Sequence, residues 1–218
     1  DYMLPEWEEL GDLKELQKTL PLDKKNTKRT VRHSIPQWLD ELGLEAFGEK
    51  VWEKELSQQN EEAKLVLRIN RLKTTQEKLK KLLEDRFNIN SEINASYPDA
   101  LILEKHYKLT HLNPFEKGLF EIQDANSQQI SYWADPKPGM KVIDACAGAG
   151  GKSLHMAALM ENRGNIIALD ISNSKLDQLM KRVHRNRINI IETHDANDTS
   201  FFTSKKEKAD IVLIDAPC

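Results

Sequence analysis

The stretch Met140–Ser153 reads MKVIDACAGAGGKS and decides the fold of the region around it. A short apolar run rich in β-branched residues precedes three glycines within four residues, and apolar residues at helical spacing follow. This order predicts a strand, a tight turn and a helix. Glycine permits the positive φ angles of such a turn and leaves the backbone N–H groups at the helix start open to a ligand. The stretch therefore predicts a cofactor-binding turn.

The spacing of the glycines distinguishes three kinds of cofactor site. A phosphate-binding P-loop needs a glycine where Cys146 stands, and the dinucleotide pattern G-x-G-x-x-G needs one at Ser153. Rossmann-type sites also carry an acidic residue at the end of the next strand, about 20 residues on, which binds a ribose. Asp170 ends the apolar run NIIALD at that place. A nucleoside cofactor without a pyrophosphate fits this pattern best, and S-adenosylmethionine is the candidate.

The composition of the 218-residue chain limits the classes of protein to which it can belong. A hydrophobic share of 39% is enough for a packed core, and a net charge of −3 gives no global basic field, so any nucleic-acid surface must be a local patch. The two cysteines lack metal-ligand spacing, and no run is apolar enough to cross a bilayer. We therefore expect no required metal, no membrane contact and a cytoplasmic location.

The chain is predicted to contain three regions. Residues 1–62 are expected to be helical, and Trp38, Phe47 and Trp52 are expected in the core of that region. Residues 63–113 are expected to form a small α/β, RNA-recognition-like subdomain. The predicted strand at its start carries Arg68 and Asn70, for which RNA binding and a structural bracing role are equally open. Residues 114–218 are expected to form the N-terminal part of a catalytic domain.

Beyond the glycine turn, helices and strands alternate as in a doubly wound α/β fold. Strands are predicted at Ile166–Asp170, Asn189–Thr193 and Ala209–Ile214, and apolar strands of this kind are buried in parallel sheets. Ligands of such sheets lie across the carboxyl ends of the strands. The acidic residues expected at those ends are Asp144, Asp170, Asp195 and Asp215. As a set, these acids predict a pocket for a ribose, an adenine amine and a cationic sulfonium or amine.

The last four residues, Asp215–Cys218, read DAPC and indicate the chemistry. C5 of cytosine is a poor nucleophile until a thiolate adds to C6, and the resulting enamine can then accept a methyl group. Asp215 would hydrogen-bond the edge of the base, and Pro217 would stiffen the turn that aims Cys218. A small buried residue after a core strand is the alternative role for Cys218.

The motifs DACAGAGGKS (144–153) and DAPC (215–218), with GLFEIQDANS (118–127) upstream, resemble the Sun (Fmu) family of RNA cytosine-C5 methyltransferases. The resemblance implies a Rossmann-like methyltransferase core, S-adenosylmethionine as cofactor and RNA, most simply ribosomal RNA, as substrate. It implies catalytic roles for Asp215, beside the target base, and for Cys218. The cofactor residues that it implies are Cys146, Ala147, Gly148, Ala149, Gly150, Gly151 and Lys152 around the methionine end, Asp170 at the ribose, Asp195 at the adenine, and Asp215.

The chain departs from this family pattern in two places. Ala149 stands where the glycine motif usually has a proline, which should loosen the turn. The family also uses a second cysteine, in a Thr-Cys motif after the next strand, to form the C6 adduct, while the cysteine matching Cys218 helps to release the product. This chain ends before that motif, with the first four strands of the core. We therefore expect that the natural protein continues and that the 218-residue chain alone does not methylate RNA.

Three other functions stay open at this point. A P-loop nucleotide hydrolase would use Lys152 and Ser153 on phosphates and Asp215 on magnesium. A non-catalytic RNA-binding or assembly protein would keep the fold without needing Asp215 or Cys218. A DNA cytosine methylase would use Cys218 itself as the nucleophile.

Overall fold

A computed structural model describes residues 27–198 and 208–216 of the chain. The chain divides into two compact units, Asp1–Ala63 and Lys64–Cys218. The helical prediction for residues 1–26 lies outside the described residues. None of the helices within residues 27–198 and 208–216 combines the length and apolarity needed to cross a bilayer.

The first unit contains three described helices: α1 (Arg29–Arg32), α2 (Gln37–Phe47) and α3 (Glu49–Gln59). Trp52 of α3 is buried against α2, where a Cβ on Gly43 would overlap the indole ring. The indole N–H of Trp52 donates to Asp40 Oδ1 at 2.9 Å, and Arg29 pairs with the same oxygen at 2.7 Å. The prediction of a core position is therefore right for Trp52.

The same prediction is wrong for the other two aromatic residues of this unit. Trp38 is 65% exposed and Phe47 is 56% exposed. Both residues lie on α2, whose only buried residue is Gly43. Apolar spacing on a helix identifies one face of that helix, but it does not show which part of the face another element covers.

The second unit begins with an antiparallel sheet in the order β2-β3-β1-β4. Its strands are β1 (Val66–Ile69), β2 (Ser91–Ile93), β3 (Ala100–Leu103) and β4 (Phe120–Ile122). The helices that accompany them are α4 (Gln76–Phe87), α5 (Asn113–Glu116) and α6 (Ala125–Ala134). The side chains of Leu67, Leu79, Leu101 and Phe120 are fully buried in one cluster, which holds α4 against the sheet.

A parallel sheet follows, with the strands β5 (Lys141–Asp144), β6 (Asn165–Asp170), β7 (Ile191–Asp195) and β8 (Ile211–Leu213). The helices α7 (Gly151–Leu159) and α8 (Asn173–Asn186) connect the first three strands. The strand order is β7-β6-β5-β8, so the chain moves outward from β5 and then returns to its other side. The Rossmann-like fold class is thus confirmed, and the β5–β8 boundary is a topological switch point where such sheets bind ligands.

A buried polar network connects α7 to the segment before β3. His155 of α7 has no exposed surface, and its Nε2 lies 2.9 Å from Asp99 Oδ2. The hydroxyl of Tyr132 donates to the same oxygen at 2.8 Å. Burial lowers the pKa of His155 to about 4, although hydrogen bonding to Asp99 acts in the opposite direction. The ring is therefore neutral in the folded protein near pH 7.

This buried histidine predicts that the folded state loses stability in mild acid. The pKa is about 4 when folded and 6.5 when unfolded, so the unfolded chain binds the proton first and stability falls as the pH drops from about 6.5 toward 4. Integration gives a loss of about 2 kcal/mol between pH 7 and pH 5. Urea unfolding of the wild type and of His155→Gln, which keeps a donor for Asp99, measures this loss. Equal pH dependence in the two proteins would contradict the prediction.

Candidate functional site

The turn between β5 and α7 needs glycine at two positions. Gly148 has a φ angle of 55° and Gly150 one of 81°, both in the left-handed region that disfavours residues with a Cβ. A Cβ on Gly150 would also overlap the side chain of Leu179 on α8. The glycines therefore allow α8 to pack closely over the turn as well as permitting the bend itself.

Asp170, at the carboxyl end of β6, is tied directly to this turn. Its Oδ2 accepts a hydrogen bond from the backbone N–H of Gly148 at 2.9 Å, and its Oδ1 accepts one from the N–H of Ser172 at 2.9 Å. Each carboxylate oxygen can accept a further hydrogen bond. The glycine turn and the acidic residue, 22 positions apart, thus lie together at one edge of the sheet.

A cavity of about 440 Å³ opens beside Asp170 at the carboxyl ends of the parallel strands. Four predicted site residues are among its lining side chains and backbone: Cys146, Gly148, Asp170 and Asp215. The remaining predicted turn residues, Ala147, Ala149, Gly150, Gly151 and Lys152, belong to the turn and the start of α7 but do not line the cavity. Asp195 does not line it either, although the next residue, Ala196, does. Cys218 and Pro217 lie outside the described residues.

The predicted acids differ in their surroundings. Asp215 forms an ion pair with Lys152, and 42% of its side chain is exposed at the cavity. Asp195 accepts hydrogen bonds at 2.8 Å from both the backbone and the side chain of Asn197. Asp144 is buried and accepts from Ser153 Oγ at 2.6 Å; burial raises its pKa. Asp144 therefore ties β5 to α7 and does not face the cavity, contrary to the expectation for the set of four.

Two arginines hold carbonyl groups of the glycine turn, and we call this pair the arginine clamp. Arg182 of α8 donates to the carbonyl of Ala149 at 2.7 Å. Arg68 of β1 donates to the carbonyl of Gly151 and to the side chain of Gln123. The arginine clamp therefore fixes the carbonyl groups of Ala149 and Gly151 and anchors the glycine turn to β1 and α8.

The arginine clamp depends on Glu121 of β4, which is almost fully buried. Glu121 accepts from Arg182 at 3.0 and 3.1 Å, from Arg185 at 2.6 Å and from Asn186 at 2.5 Å. Burial alone would raise the pKa of Glu121, but Arg182 and these hydrogen bonds outweigh burial and lower the pKa. The carboxylate therefore stays ionised and joins the antiparallel sheet to α8.

The sequence does not decide whether Arg68 binds RNA or braces the structure. Only 3% of its surface is exposed, and burial lowers its pKa to about 10 despite the nearby charge of Glu121. Asn70 is also buried, and its amide donates to the Gly118 carbonyl at 3.0 Å and to the Asn186 side chain at 3.1 Å. Both residues therefore brace the interior. A single arginine inside the apolar run LVLRIN was the available signal for a buried, paired cation.

The described residues offer no metal centre, since residues 27–198 and 208–216 contain no group of three or more His, Cys, Asp or Glu side chains placed to hold an ion. The arrangement instead presents a carboxylate with spare acceptor capacity, turn residues that line the cavity and a second, partly exposed carboxylate in the same lining. These groups can bind a sugar diol and a small polar or cationic ligand.

Comparison with known proteins gives two family matches. Residues 131–218 match the 16S rRNA methyltransferase RsmB/F model, and residues 35–110 match the ferredoxin-like domain model of the RsmF/B-like methyltransferases. The chain is 34% identical over 188 residues to a probable ribosomal RNA small subunit methyltransferase B of Bacillus subtilis (strain 168). That match covers 85% of the chain and 41% of the relative, so the chain spans about two fifths of the relative's length.

Two solved structures share the fold. The crystal structure of PH0851 has a TM-score of 0.79 and 30% identity, and the match covers 87% of this chain and 43% of that one. The crystal structure of NSun6 from Pyrococcus horikoshii with SFG has a TM-score of 0.75 and 21% identity. That match covers 84% of this chain and 71% of the NSun6 chain.

Proposed function

The chain belongs to the RsmB/F family of ribosomal RNA methyltransferases, also called the Sun family, and from that premise we propose that it provides the cofactor site of an S-adenosylmethionine-dependent enzyme that methylates cytosine C5 in ribosomal RNA. The observation that carries the cofactor assignment is the 2.9 Å hydrogen bond from the Gly148 N–H to Asp170, beside the cavity. A carboxylate beside a glycine turn can bind a ribose. Because neither the P-loop nor the dinucleotide pattern is complete, a nucleoside cofactor without phosphates, such as a nucleoside sulfonium, fits the site best.

The lining of the cavity suggests how each part of the cofactor is held. The free acceptor positions of Asp170 suit the two ribose hydroxyls. Ile171, which is 73% exposed, and Ala196 offer apolar contacts to the adenine ring. The turn residues Ala145 to Gly148 suit the methionine end. The NSun6 structure with SFG, an analogue of S-adenosylmethionine, supports this assignment through the shared fold.

Asp215 is the proposed contact to the target base. Its ion pair with Lys152 fixes the carboxylate at the cavity mouth while leaving 42% of the side chain exposed. A carboxylate accepts hydrogen bonds from the exocyclic amine of cytosine, which uracil lacks. Lys152 is thereby engaged with a carboxylate, which disfavours the alternative use of Lys152 and Asp215 on a nucleotide triphosphate and magnesium.

The proposed chemistry forms and then breaks one bond between the protein and the base. When bound, the cofactor supplies an electrophilic methyl group on sulfur. A cysteine thiolate adds to C6 of cytosine, and C5 becomes the carbon nucleophile that takes the methyl group. Removal of the C5 proton then expels the thiolate and restores the ring. By the family resemblance, a second cysteine forms the adduct and Cys218 assists the release of the product.

Trapping with 5-fluorocytidine tests the proposed reaction. Fluorine replaces the C5 proton, so the elimination step is blocked and the adduct accumulates. With the complete gene product, S-adenosylmethionine and small-subunit ribosomal RNA that contains 5-fluorocytidine, we expect a protein–RNA complex that survives denaturing electrophoresis. RNA containing 5-fluorouridine is the matched control and should give none. Methylation of unmodified RNA without any trapped complex would show that the acceptor atom is not C5.

A further inference from the structure

A larger cavity, of about 800 Å³, lies on a different side of the second unit. Its lining includes Asn162, which follows α7 and precedes β6, and Arg187, which follows α8 and precedes β7. These two connections lead into the amino ends of β6 and β7. Asp170 and Asp215 lie at the opposite edge, because Asp170 ends β6 and Asp215 comes after the carboxyl end of β8. The length of β6 separates the two edges by roughly 15–20 Å. The larger cavity is therefore distinct from the candidate cofactor site.

Cationic residues dominate the lining of this cavity, which we call the basic groove. Its charged members are Lys73, Lys117, Arg185 and Arg187, with Glu116 as the acidic member and His184 beside them. Burial, and then the charges of Arg187 and Arg185, lower the pKa of Lys73. The cations are thus close enough to repel one another, and an anion in the groove would relieve that repulsion.

Two of these cations are fixed by the fold. Arg185 donates to Glu121 at 2.6 Å, and its guanidinium lies 3.9 Å from the centre of the Phe115 ring. Lys73 donates to the carbonyls of Lys117 at 2.6 Å and Arg185 at 2.8 Å. These contacts give the groove a fixed cationic wall.

The other two cations, Lys117 and Arg187, have exposed side chains. Among the described residues, no carboxylate lies within ion-pair distance of either side chain. Within residues 27–198 and 208–216 their charges are therefore left without an acidic partner.

The carboxyl end of α8 also faces this region, and its partial negative charge would oppose an anion. Its last carbonyl groups are, however, already occupied. Lys73 donates to the carbonyl of Arg185, and the side chain of Asn70 donates to that of Asn186 at 3.2 Å. The backbone N–H groups of Arg187 and Ile188 occupy the carbonyls of His184 and Val183, at 3.1 Å each. The positive side chains therefore determine the potential of the groove.

We propose that the basic groove binds the phosphate backbone of the RNA substrate at a place remote from the methylated base. This inference rests on the proposed function, because it assigns a second contact to the same RNA. Lysine and arginine side chains hold phosphates without regard to sequence, so the groove would position the RNA while the cofactor edge selects the base. A nucleic-acid duplex carries one phosphate per roughly 3 Å of helix axis on each strand, so roughly five or six phosphates of a paired RNA strand would span the separation between the two edges.

The test replaces the two exposed cations in the double variant Lys117→Gln/Arg187→Gln of the complete gene product. Fluorescence anisotropy measures its affinity for small-subunit ribosomal RNA fragments over a range of KCl concentrations. We expect affinity to fall about 10-fold at 0.1 M salt and the slope of log K against log salt to become shallower by about 2. Affinity for S-adenosylhomocysteine should not change, because the cofactor cavity is at the other edge of the sheet.

The matched control removes two exposed lysines outside the groove, in Lys105→Gln/Lys108→Gln, and should leave RNA affinity and the salt slope as in the wild type. A groove variant with wild-type RNA affinity and slope would overturn the proposal. The same result in the groove variant and the control would also overturn it, since the effect would then be one of net charge. RNA binding is measured without methyl transfer, so failure of the proposed reaction would be recognised separately by the trapping experiment.

Discussion

Asp170→Ala is expected to weaken the affinity for S-adenosylhomocysteine by about 100-fold. The change removes two proposed hydrogen bonds between the carboxylate and the ribose hydroxyls, each worth about 1.5 kcal/mol. It also removes the acceptors for the N–H groups of Gly148 and Ser172, so the turn loses its tie to β6. Isothermal titration of the wild-type and variant proteins with S-adenosylhomocysteine measures the difference.

Two further variants show whether the carboxylate itself is responsible. Asp170→Asn keeps one accepting oxygen and should lose about 10-fold in affinity, between the wild type and the alanine variant. Asp177→Ala removes an exposed carboxylate on α8 and should bind as the wild type does. Wild-type affinity in Asp170→Ala would exclude Asp170 from the cofactor site.

The second large effect is expected from Glu121→Gln, which removes the buried negative charge behind the arginine clamp. We expect a loss of about 3 kcal/mol in the free energy of unfolding, because Arg182 and Arg185 would lose their ionised partner. Arg182 would then hold the Ala149 carbonyl less firmly, and affinity for S-adenosylhomocysteine should fall by roughly 5-fold. Urea unfolding and isothermal titration measure the two effects.

The pH dependence of the stability loss in Glu121→Gln shows whether the lost charge causes it. The pKa of Glu121 in the folded protein is below the ordinary value of 4.5, so its stabilisation is present above that pH and is lost as the pH falls through the folded pKa. The difference in the free energy of unfolding between the wild type and Glu121→Gln should therefore be largest near pH 7 and become smaller in acid. Glu84→Gln, at an exposed position on α4, is the control and should change neither quantity. A deficit that does not change with pH would indicate a packing defect and not a lost charge.

The sequence predicts the parallel sheet well because its signals are local. Strand β5 lies in the apolar run at the start of Met140–Ser153, and β6 begins within one residue of its predicted start. Each is a short apolar run bounded by turn residues. The β2 strand carries Glu92, has two exposed residues of three and has no such pattern. Its backbone pairing with β3, not its own residues, makes it a strand.

The contacts around the candidate site were much less predictable. Asp170 and the glycine turn could be paired in advance because Rossmann-type sites fix their spacing. Arg68 and Gly151 are 83 positions apart, and Glu121 and Arg182 are 61 apart. No periodicity connects residues at such distances. Only the folded arrangement of the two sheets shows that the antiparallel sheet supports the cofactor turn.

The position of Asp144 shows a related limit. Its place at the end of β5 is that of a ligand-facing acid, as for Asp170, and the sequence pattern treats the two alike. The structure separates them because Ser153, in the first turn of α7, donates its hydroxyl to Asp144, which is buried and does not line the cavity. Acids at strand ends predict the edge that binds the ligand, but not which acid touches it.

The most direct test of the cofactor site is a crystal structure of the complete gene product bound to S-adenosylhomocysteine. We expect both ribose hydroxyls within hydrogen-bonding distance of the Asp170 carboxylate, the adenine beside Ile171 and Ala196, and the amino-acid end along residues 145–148. A ribose bound away from Asp170, or a nucleoside triphosphate with magnesium held in that cavity in place of the methyl donor, would contradict the account.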